Sequence, residues 1–522
     1  MRILAPVVLV FCACTATLES STSPGASQAP RAPRKRPNII VIYADDHAQR
    51  AIGAYGSPYA HTPHIDSLAA EGLRFTRSFV ANAICGPARA TFLTGLHSHA
   101  NGVTSNRSAL REGVPNVASM MQAAGYRTGV IGKWHLGGDP EGFNYWALAR
   151  GGYYNPSLVT SKGKRSTEGY TTQVITEDAL QWIEAQREEG QPFFAWVSHA
   201  ATHRTWRPGP QYLGRYDDEH IEEPATLFDD YAGRSRAAAE TQMRISRDLF
   251  PAYDLKLPVT GEGILDGSAK SMLESMTTNQ RKAWEASYGP KNRAFEQEAL
   301  SGQQLVSWKY QRYMKDYLRC GDAVDDSVGE ILEYLDRTGL DKNTIVIYTS
   351  DQGFFLGEHG WYDKRWMYEP ALSTPMIVRW PGVTAEGETE ERLVQNIDLA
   401  PTFAALAGAQ PDERMHGQSL VPLFCGEKPE WRDAIYYHYQ QRDSGRTSHT
   451  VAPHYGIRTE RYKLIHVYEH DEWELYDLLD DPDETCNLLG RPEYESIAKD
   501  LRARLLELQE NFDDRTALDQ KT

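Results

Sequence analysis

The sequence is short of cysteine, of long apolar runs and of positive charge, and each shortage removes a class of protein. Six cysteines in 522 residues cannot supply the disulfide framework of a small secreted module. The four beyond the leader, Cys85, Cys320, Cys425 and Cys486, show no CxxC spacing of a zinc site. One bridge among Cys320, Cys425 and Cys486 stays open. The apolar stretch at residues 3–14 is too short to span a bilayer, and no transmembrane segment is expected elsewhere. It follows Arg2 and runs into a Ser/Thr/Pro/Ala-rich segment, so residues 1–27 read as a signal peptide and 28–36 as a linker. The protein is therefore expected to be exported, periplasmic or secreted. Phe11-Cys12-Ala13-Cys14 is an imperfect lipoprotein-type match and leaves lipid anchoring at Cys14 open. Lys and Arg number 55 against 71 Asp and Glu, a formal net charge of −16. No basic stripe interrupts that excess, which excludes nucleic acid as a partner.

What is present is a globular chain, 41% apolar, without internal repeats and with enough length for a large core. Four short β-branched or aromatic runs, Asn38–Tyr43, Arg127–Ile131, Phe193–Val197 and Thr344–Tyr348, lack alternation, as strands buried on both faces of a parallel sheet do. Helical spacing separates them, at Thr62–Gly72, Asn116–Gly125, Thr172–Glu189 and Gln304–Gly339. This order implies an α/β fold, a large mostly parallel sheet flanked by helices. The main domain is expected over residues 37–425, with a weakly patterned acidic insertion near 210–300. Residues 426–522 read as a smaller α+β subdomain, an antiparallel sheet with a terminal helix.

Ligand sites in such folds lie beyond the carboxyl ends of the strands. All four runs deliver polar groups there: Asp45 and Asp46, Lys133 and His135, His199 and His203, Asp351 and Gln352. Any one pair fits a solvated turn, but four recurring together do not. Asp45, Asp46, Asp351 and Gln352 are oxygen donors suited to Ca²⁺ or Mg²⁺ and unsuited to zinc. Arg89, Lys133 and Lys364 add positive charge for an oxyanion, and His135 and His203 can move protons. Cys85 precedes Pro87 at the start of a helix-compatible stretch, where free N–H groups favour negative charge. The set suits attack on a tetrahedral anionic ester.

Cys85-x-Pro87-x-Arg89 followed by Leu93-Thr94-Gly95 resembles the signature of the type I sulfatases, of the alkaline phosphatase superfamily. Asn38–Asp46, Gly132–His135 and Thr349–Gly353 resemble the family's other segments, and the likeness runs from about Pro37 to Phe512. Ala88 and Gln352 depart from the serine and asparagine common there. The resemblance implies oxidation of Cys85 to formylglycine by a maturase, with Asp45, Asp46, Cys85, Asp351 and Gln352 holding Ca²⁺. It also implies Arg89 and His135 beside the aldehyde hydrate, Lys133 and Lys364 on the sulfate, and His203 at the leaving oxygen. Trp361–Glu369 and His454–Leu464 resemble the carbohydrate-sulfatase branch that includes N-acetylglucosamine-6-sulfatase-like enzymes. His454 and Arg458 are taken as sugar contacts. Because cations are confined to one pocket of an acidic chain, exo action on a terminal 6-sulfated N-acetylhexosamine is expected. A phosphodiesterase or phosphonate hydrolase, a glycan-binding protein without catalysis, and a structural metal module are the alternatives.

Overall fold

The structure is a computed structural model that describes residues 36–441 and 449–518. The expected leader and all of the linker but Arg36 lie outside the described residues, Cys12 and Cys14 with them.

The four apolar runs are adjacent strands at the centre of a ten-stranded sheet, in the spatial order Thr344–Ser350, Asn38–Ala44, Phe193–Ser198, Arg127–Gly132. All three pairings are parallel. Every residue of Asn38–Ala44 is buried. Ile40 and Ile42 pack into the core on one face of the sheet, Ile39, Val41 and Tyr43 into the core on the other. Burial on both faces removes any gain from alternation, which is why the run is continuously apolar.

One face is covered by the helices Pro63–Ala70, Thr171–Glu189 and Gly302–Thr338. The other is covered by Cys85–Thr94, Val117–Ala123 and Leu399–Leu406. The 37-residue helix Gly302–Thr338 buries Tyr310, Met314, Tyr317, Val324, Val328, Ile331 and Leu335 along one stripe. It stops at Gly339, whose φ of 69° is the left-handed cap that glycine adopts without strain.

The sheet also holds strands that sequence patterning left unmarked, among them Tyr145–Arg150, Ser157–Thr160, Gly163–Ser166 and Met376–Arg379. They are short and lie outside the central four, and Gly163–Ser166 is exposed throughout, so burial left no period to read. The weakly patterned stretch near 210–300 is not without long elements. It contains a 21-residue helix, Thr278–Glu298, opened by a Thr277–Gln280 capping box. Pro290 interrupts its pattern, and of its side chains Trp284 and Tyr288 are buried.

Toward the C-terminus Ala434–Tyr439, His454–Thr459, Tyr462–Val467 and Glu472–Asp477 form an antiparallel sheet in sequence order. Glu495–Asn511 covers one face through Leu501 and Leu505. The other face packs Tyr437, Tyr439 and Ile465 against Trp361 and Trp366 of the main domain. Cys320 and Cys486 are free thiols, so no pair remains for the bridge that the sequence left open among Cys320, Cys425 and Cys486.

Candidate active site

Because the four central strands run parallel and side by side, their carboxyl ends open on one edge of the sheet. Residues from four distant stretches meet there. The chain turns sharply after Asn38–Ala44: Asp46 sits at φ 69°, a strained region for a non-glycine residue. The turn is held from three sides. The Asp46 amide donates to Asp351 Oδ1 (3.0 Å), and its carbonyl accepts from Tyr317 Oη (2.7 Å) and Thr202 Oγ1 (3.0 Å). Gly132 ends its strand at φ 110°, where a Cβ would lie 1.9 Å from the Ser198 carbonyl. That contact admits glycine alone and directs Lys133 into the site.

Cys85 begins the helix Cys85–Thr94, all ten residues of which are buried. Its thiol donates to Asp45 Oδ1 (3.3 Å), and Gln352 Nε2 lies 3.7 Å from its sulfur. One turn on, Arg89 is wholly buried and donates through Nε and Nη2 to Asp351 Oδ2 (3.1 and 3.0 Å). Its Nη1 reaches Ser198 Oγ (2.6 Å) and the Lys133 carbonyl (3.0 Å), and its plane stands 5.2 Å from the Tyr43 ring. Lys133 Nζ pairs with Asp45, and Lys364 Nζ donates to both oxygens of Asp46 (2.7 and 2.5 Å). His203 stands at the mouth, 38% exposed, with Nε2 3.9 Å from Asp46 Oδ2. Its Nδ1 donates to the Arg204 carbonyl (2.5 Å), which leaves Nε2 facing the site. His135, also in the left-handed region at φ 62°, has an Nδ1 without a partner among the described residues.

Asp45, Asp46 and Asp351 each bring an oxygen within 4.8 Å of the others. Three buried carboxylates this close need compensating charge, and Lys133, Lys364 and Arg89 supply it to Asp45, Asp46 and Asp351 in turn. Burial, augmented by Asp45 and Cys85, pushes Asp351 well above the usual carboxylate range, and burial takes Asp46 up to about 6. Asp45 is driven the other way: Lys133, with His203 and Arg89, overcomes its burial and holds it well down. Gln352 Oε1 is buried without a partner among the described residues. An orphan carboxamide oxygen beside three carboxylates fits a hard dication, with His203 and Cys85 reaching Asp45 from the other side. The three carboxylates and the cations Arg89, Lys133 and Lys364 cancel, so a dication leaves two positive charges for an anionic ester.

The structure thus brings together Asp45, Asp46, Cys85, Arg89, Lys133, Asp351, Gln352 and Lys364, with His203 at their edge. His454 and Arg458 require correction as sugar contacts. His454 is wholly buried: Nδ1 donates to the Ala452 carbonyl (2.8 Å), Nε2 accepts from the Met367 amide (3.1 Å), and Trp366 packs on the ring. Arg458 is spent on Glu369 (3.2 Å) and on the Phe79 ring (4.6 Å). Both belong to the strand His454–Thr459, whose neighbours claim the side chains. Ser198, Thr202 and Tyr317 were missed; Ser198 was legible as the polar end of its strand. Asn106 Oδ1, which accepts from the Gly86 amide (2.9 Å), sits on a loop with no pattern to mark it.

An open, mostly parallel sheet with carboxylates, lysines and a cysteine-led helix gathered at its carboxyl edge defines a hydrolase of alkaline phosphatase-like fold. The family profile described as Sulfatase matches residues 37–409, and a second, N-sulphoglucosamine sulphohydrolase, C-terminal, matches 357–511. The chain belongs to the sulfatase family and is a sulfuric ester hydrolase. It is 42% identical over 492 residues to an N-acetylglucosamine-6-O-sulfatase of Bacteroides thetaiotaomicron, covering 92% of this chain and 87% of that one. A solved structure of a protein in complex with its substrate D-glucosamine-2-N,6-O-disulfate superposes with a TM-score of 0.88 at 41% identity, over 92% of this chain and 99% of that one. The phosphonate monoester hydrolase of Agrobacterium radiobacter shares the fold, with a TM-score of 0.66 at 23% identity over 91% of this chain and 96% of that one.

Proposed function

We propose that the protein removes sulfate from the 6-position of a terminal glucosamine unit, using formylglycine made from Cys85 and a bound Ca²⁺. The observation that carries this reading is the convergence of Cys85, three carboxylates, an unpartnered carboxamide oxygen and three cations on one strand edge. The substrates named for the relatives, N-acetylglucosamine 6-O-sulfate and a 2-N,6-O-disulfated glucosamine, support the choice of sugar.

Asp45, Asp46, Asp351, Gln352 and the modified residue 85 would hold the ion. Formylglycine would supply a hydrated aldehyde whose first hydroxyl is a nucleophile toward sulfur and whose second allows sulfate to be expelled, and Ca²⁺ would polarise a sulfate oxygen. Lys133 and Lys364 bind the sulfate oxygens, and Arg89 fixes Asp351 while keeping positive charge at the start of the helix. Burial and the charges of Lys133 and Arg89 lower His135 to about 3. The neutral imidazole so held has an Nδ1, unpartnered among the described residues, that can hydrogen-bond and orient a reacting hydroxyl. His203 is lowered to about 4 by its packed surroundings and by Lys364 and Lys133. Its Nε2, turned to the site 3.9 Å from Asp46 Oδ2, is the group placed to protonate or position the departing sugar oxygen. Exo action is the reading we attach to the gathering of these buried groups at one strand edge, with the half-buried His203 beside them.

The test is hydrolysis of 2-, 4- and 6-sulfated mono- and oligosaccharides beside a phosphonate and a phosphodiester, with intact mass of the peptide containing residue 85. Formylglycine and selective release of a terminal 6-sulfate are expected. An unmodified thiol in fully active protein, or faster release from internal positions, would overturn the mechanism or the exo assignment respectively.

A further inference from the structure

A second cationic pocket lies outside this site. It has a volume of about 560 Å³ and is lined by Lys291, Arg312, Lys315 and Arg319, with Trp308 and a single acid, Asp217. Its walls are the insertion helix Thr278–Glu298 and the N-terminal half of Gly302–Thr338. On the latter, Arg312, Lys315 and Arg319 fall at i, i+3 and i+7, one face of the helix. Tyr310, Tyr313 and Tyr317 point the other way into the core. In a chain carrying a net charge of −16, four cations around one acid need an explanation.

Their partners leave charge uncompensated. Asp217 is shared by Lys291 (2.7 Å) and Arg319 (2.5 Å), and Lys315 donates only to the Asp217 carbonyl (3.2 Å). Asp316, beneath the pocket, is divided between Arg319 (2.8 Å) and Lys256 (3.2 Å). Arg312 is 7% exposed and donates through Nη2 to Asn292 Oδ1 (2.8 Å), while its Nη1 is buried with no partner among the described residues. A guanidinium N–H left bare in a packed site costs about 1–3 kcal/mol. Burial, and after it the nearness of Arg319, pulls Lys291 and Lys315 below the usual ammonium range, and the one carboxylate of Asp217 does not offset the two. Trp308, stacked on Phe295 at 3.9 Å between centroids and carrying the Arg312 guanidinium over its ring at 5.2 Å, brings an apolar indole edge to the lining beside the charges.

We propose that this pocket is a second, non-catalytic binding site for a sulfated saccharide, the oxyanion held by Arg312 and Lys315 and the sugar face lying toward Trp308. It rests on the sulfatase reading for the identity of the ligand, and gives the insertion the task of holding part of an acidic glycan away from the reaction centre. The test is calorimetric titration of Cys85→Ala protein, which does not turn over, with a 6-O-sulfated disaccharide, its unsulfated counterpart and inorganic sulfate. Two binding events are expected for the sulfated disaccharide. Lys315→Glu should weaken one of them about tenfold or more, the worth of a charge-assisted hydrogen bond, and leave the other. Arg312→Gln should do the same, and Lys315→Glu at the pocket rim keeps the test valid where loss of the buried arginine unfolds the protein. With Cys85 intact, Lys315→Glu should turn over 4-nitrophenyl sulfate at the unsubstituted rate. A single event unaffected by either substitution, or equal affinity for the unsulfated disaccharide, would overturn the proposal. Equal affinity for inorganic sulfate would reduce the site to one for the free ion and overturn its saccharide part. Absence of 4-nitrophenyl sulfate turnover by the unsubstituted protein would instead strike at the sulfatase reading.

Discussion

Two regions of this protein bury acids and bases at close range, and they treat them differently. In the C-terminal sheet Lys463 bonds Glu484 (2.6 Å) and Glu369 (2.9 Å), while Arg458 takes the remaining face of Glu369. Two acids and two bases close on one another with every charge answered. At the carboxyl edge of the parallel sheet Gln352 Oε1 and His135 Nδ1 are left without partners among the described residues, and three carboxylates crowd together. The first region answers its polar atoms from within; the second leaves acceptor atoms unanswered among the described residues. The physical difference is where the side chains originate. In the former, Arg458 and Lys463 sit inside strands whose neighbours constrain them, whereas the latter uses strand ends, where the chain leaves the sheet and can aim polar groups at a common point.

Substitutions should sort by region. Cys85→Ala should abolish turnover, by about a thousandfold or more in kcat, while retaining substrate binding; steady-state rates and calorimetry measure the two. Chelation should remove activity and Ca²⁺ restore it, and Asp351→Ala should weaken metal binding and activity together. Recovery with zinc alone would contradict the oxygen donor set. His203→Ala should cost about 10²–10⁴-fold on a sugar sulfate and far less on 4-nitrophenyl sulfate, whose leaving oxygen needs no proton. Equal losses on both would remove His203 from the acid role.

Arg458→Ala should lower the melting temperature with KM for sugar and aryl sulfates unchanged, since it leaves Lys463 to serve both Glu369 and Glu484; a rise in KM for the sugar alone would restore Arg458 to the substrate site and blur the two regions. The smallest effect concerns pH. Burial pushes Glu484 up to about 7 against the pull of Lys463, whereas Glu369, which burial alone would raise, is held at about 2 by Arg458 and Lys463. For Glu484 the raised value means stability present below its ordinary 4.5 and lost as pH climbs to 7. For Glu369 the lowered value means stability present above 4.5 and lost as pH falls toward 2. Glu484→Gln should therefore flatten the fall in melting temperature between pH 5 and pH 8 without altering kcat.

Much of this was legible before any coordinates. Continuous apolar runs can be buried only on both faces, so the parallel centre of the sheet and its functional edge follow from Asn38–Tyr43 and its three counterparts. The donors at the ends of those runs, carboxylates, a carboxamide and lysines, are the residue types from which a hard cation and an oxyanion are read, and that reading was open to the sequence alone. What the sequence could not settle is which polar residues the sheet uses for itself. His454 and Arg458 have the composition of sugar contacts, and only strand pairing shows their atoms already taken. Nor could local pattern reveal that Arg312, Lys315 and Arg319 face Lys291 across a helix hidden by Pro290. Periodicity reports which side of an element is apolar; which two polar sides meet depends on the packing of elements far apart in the chain, and tertiary structure alone decides it.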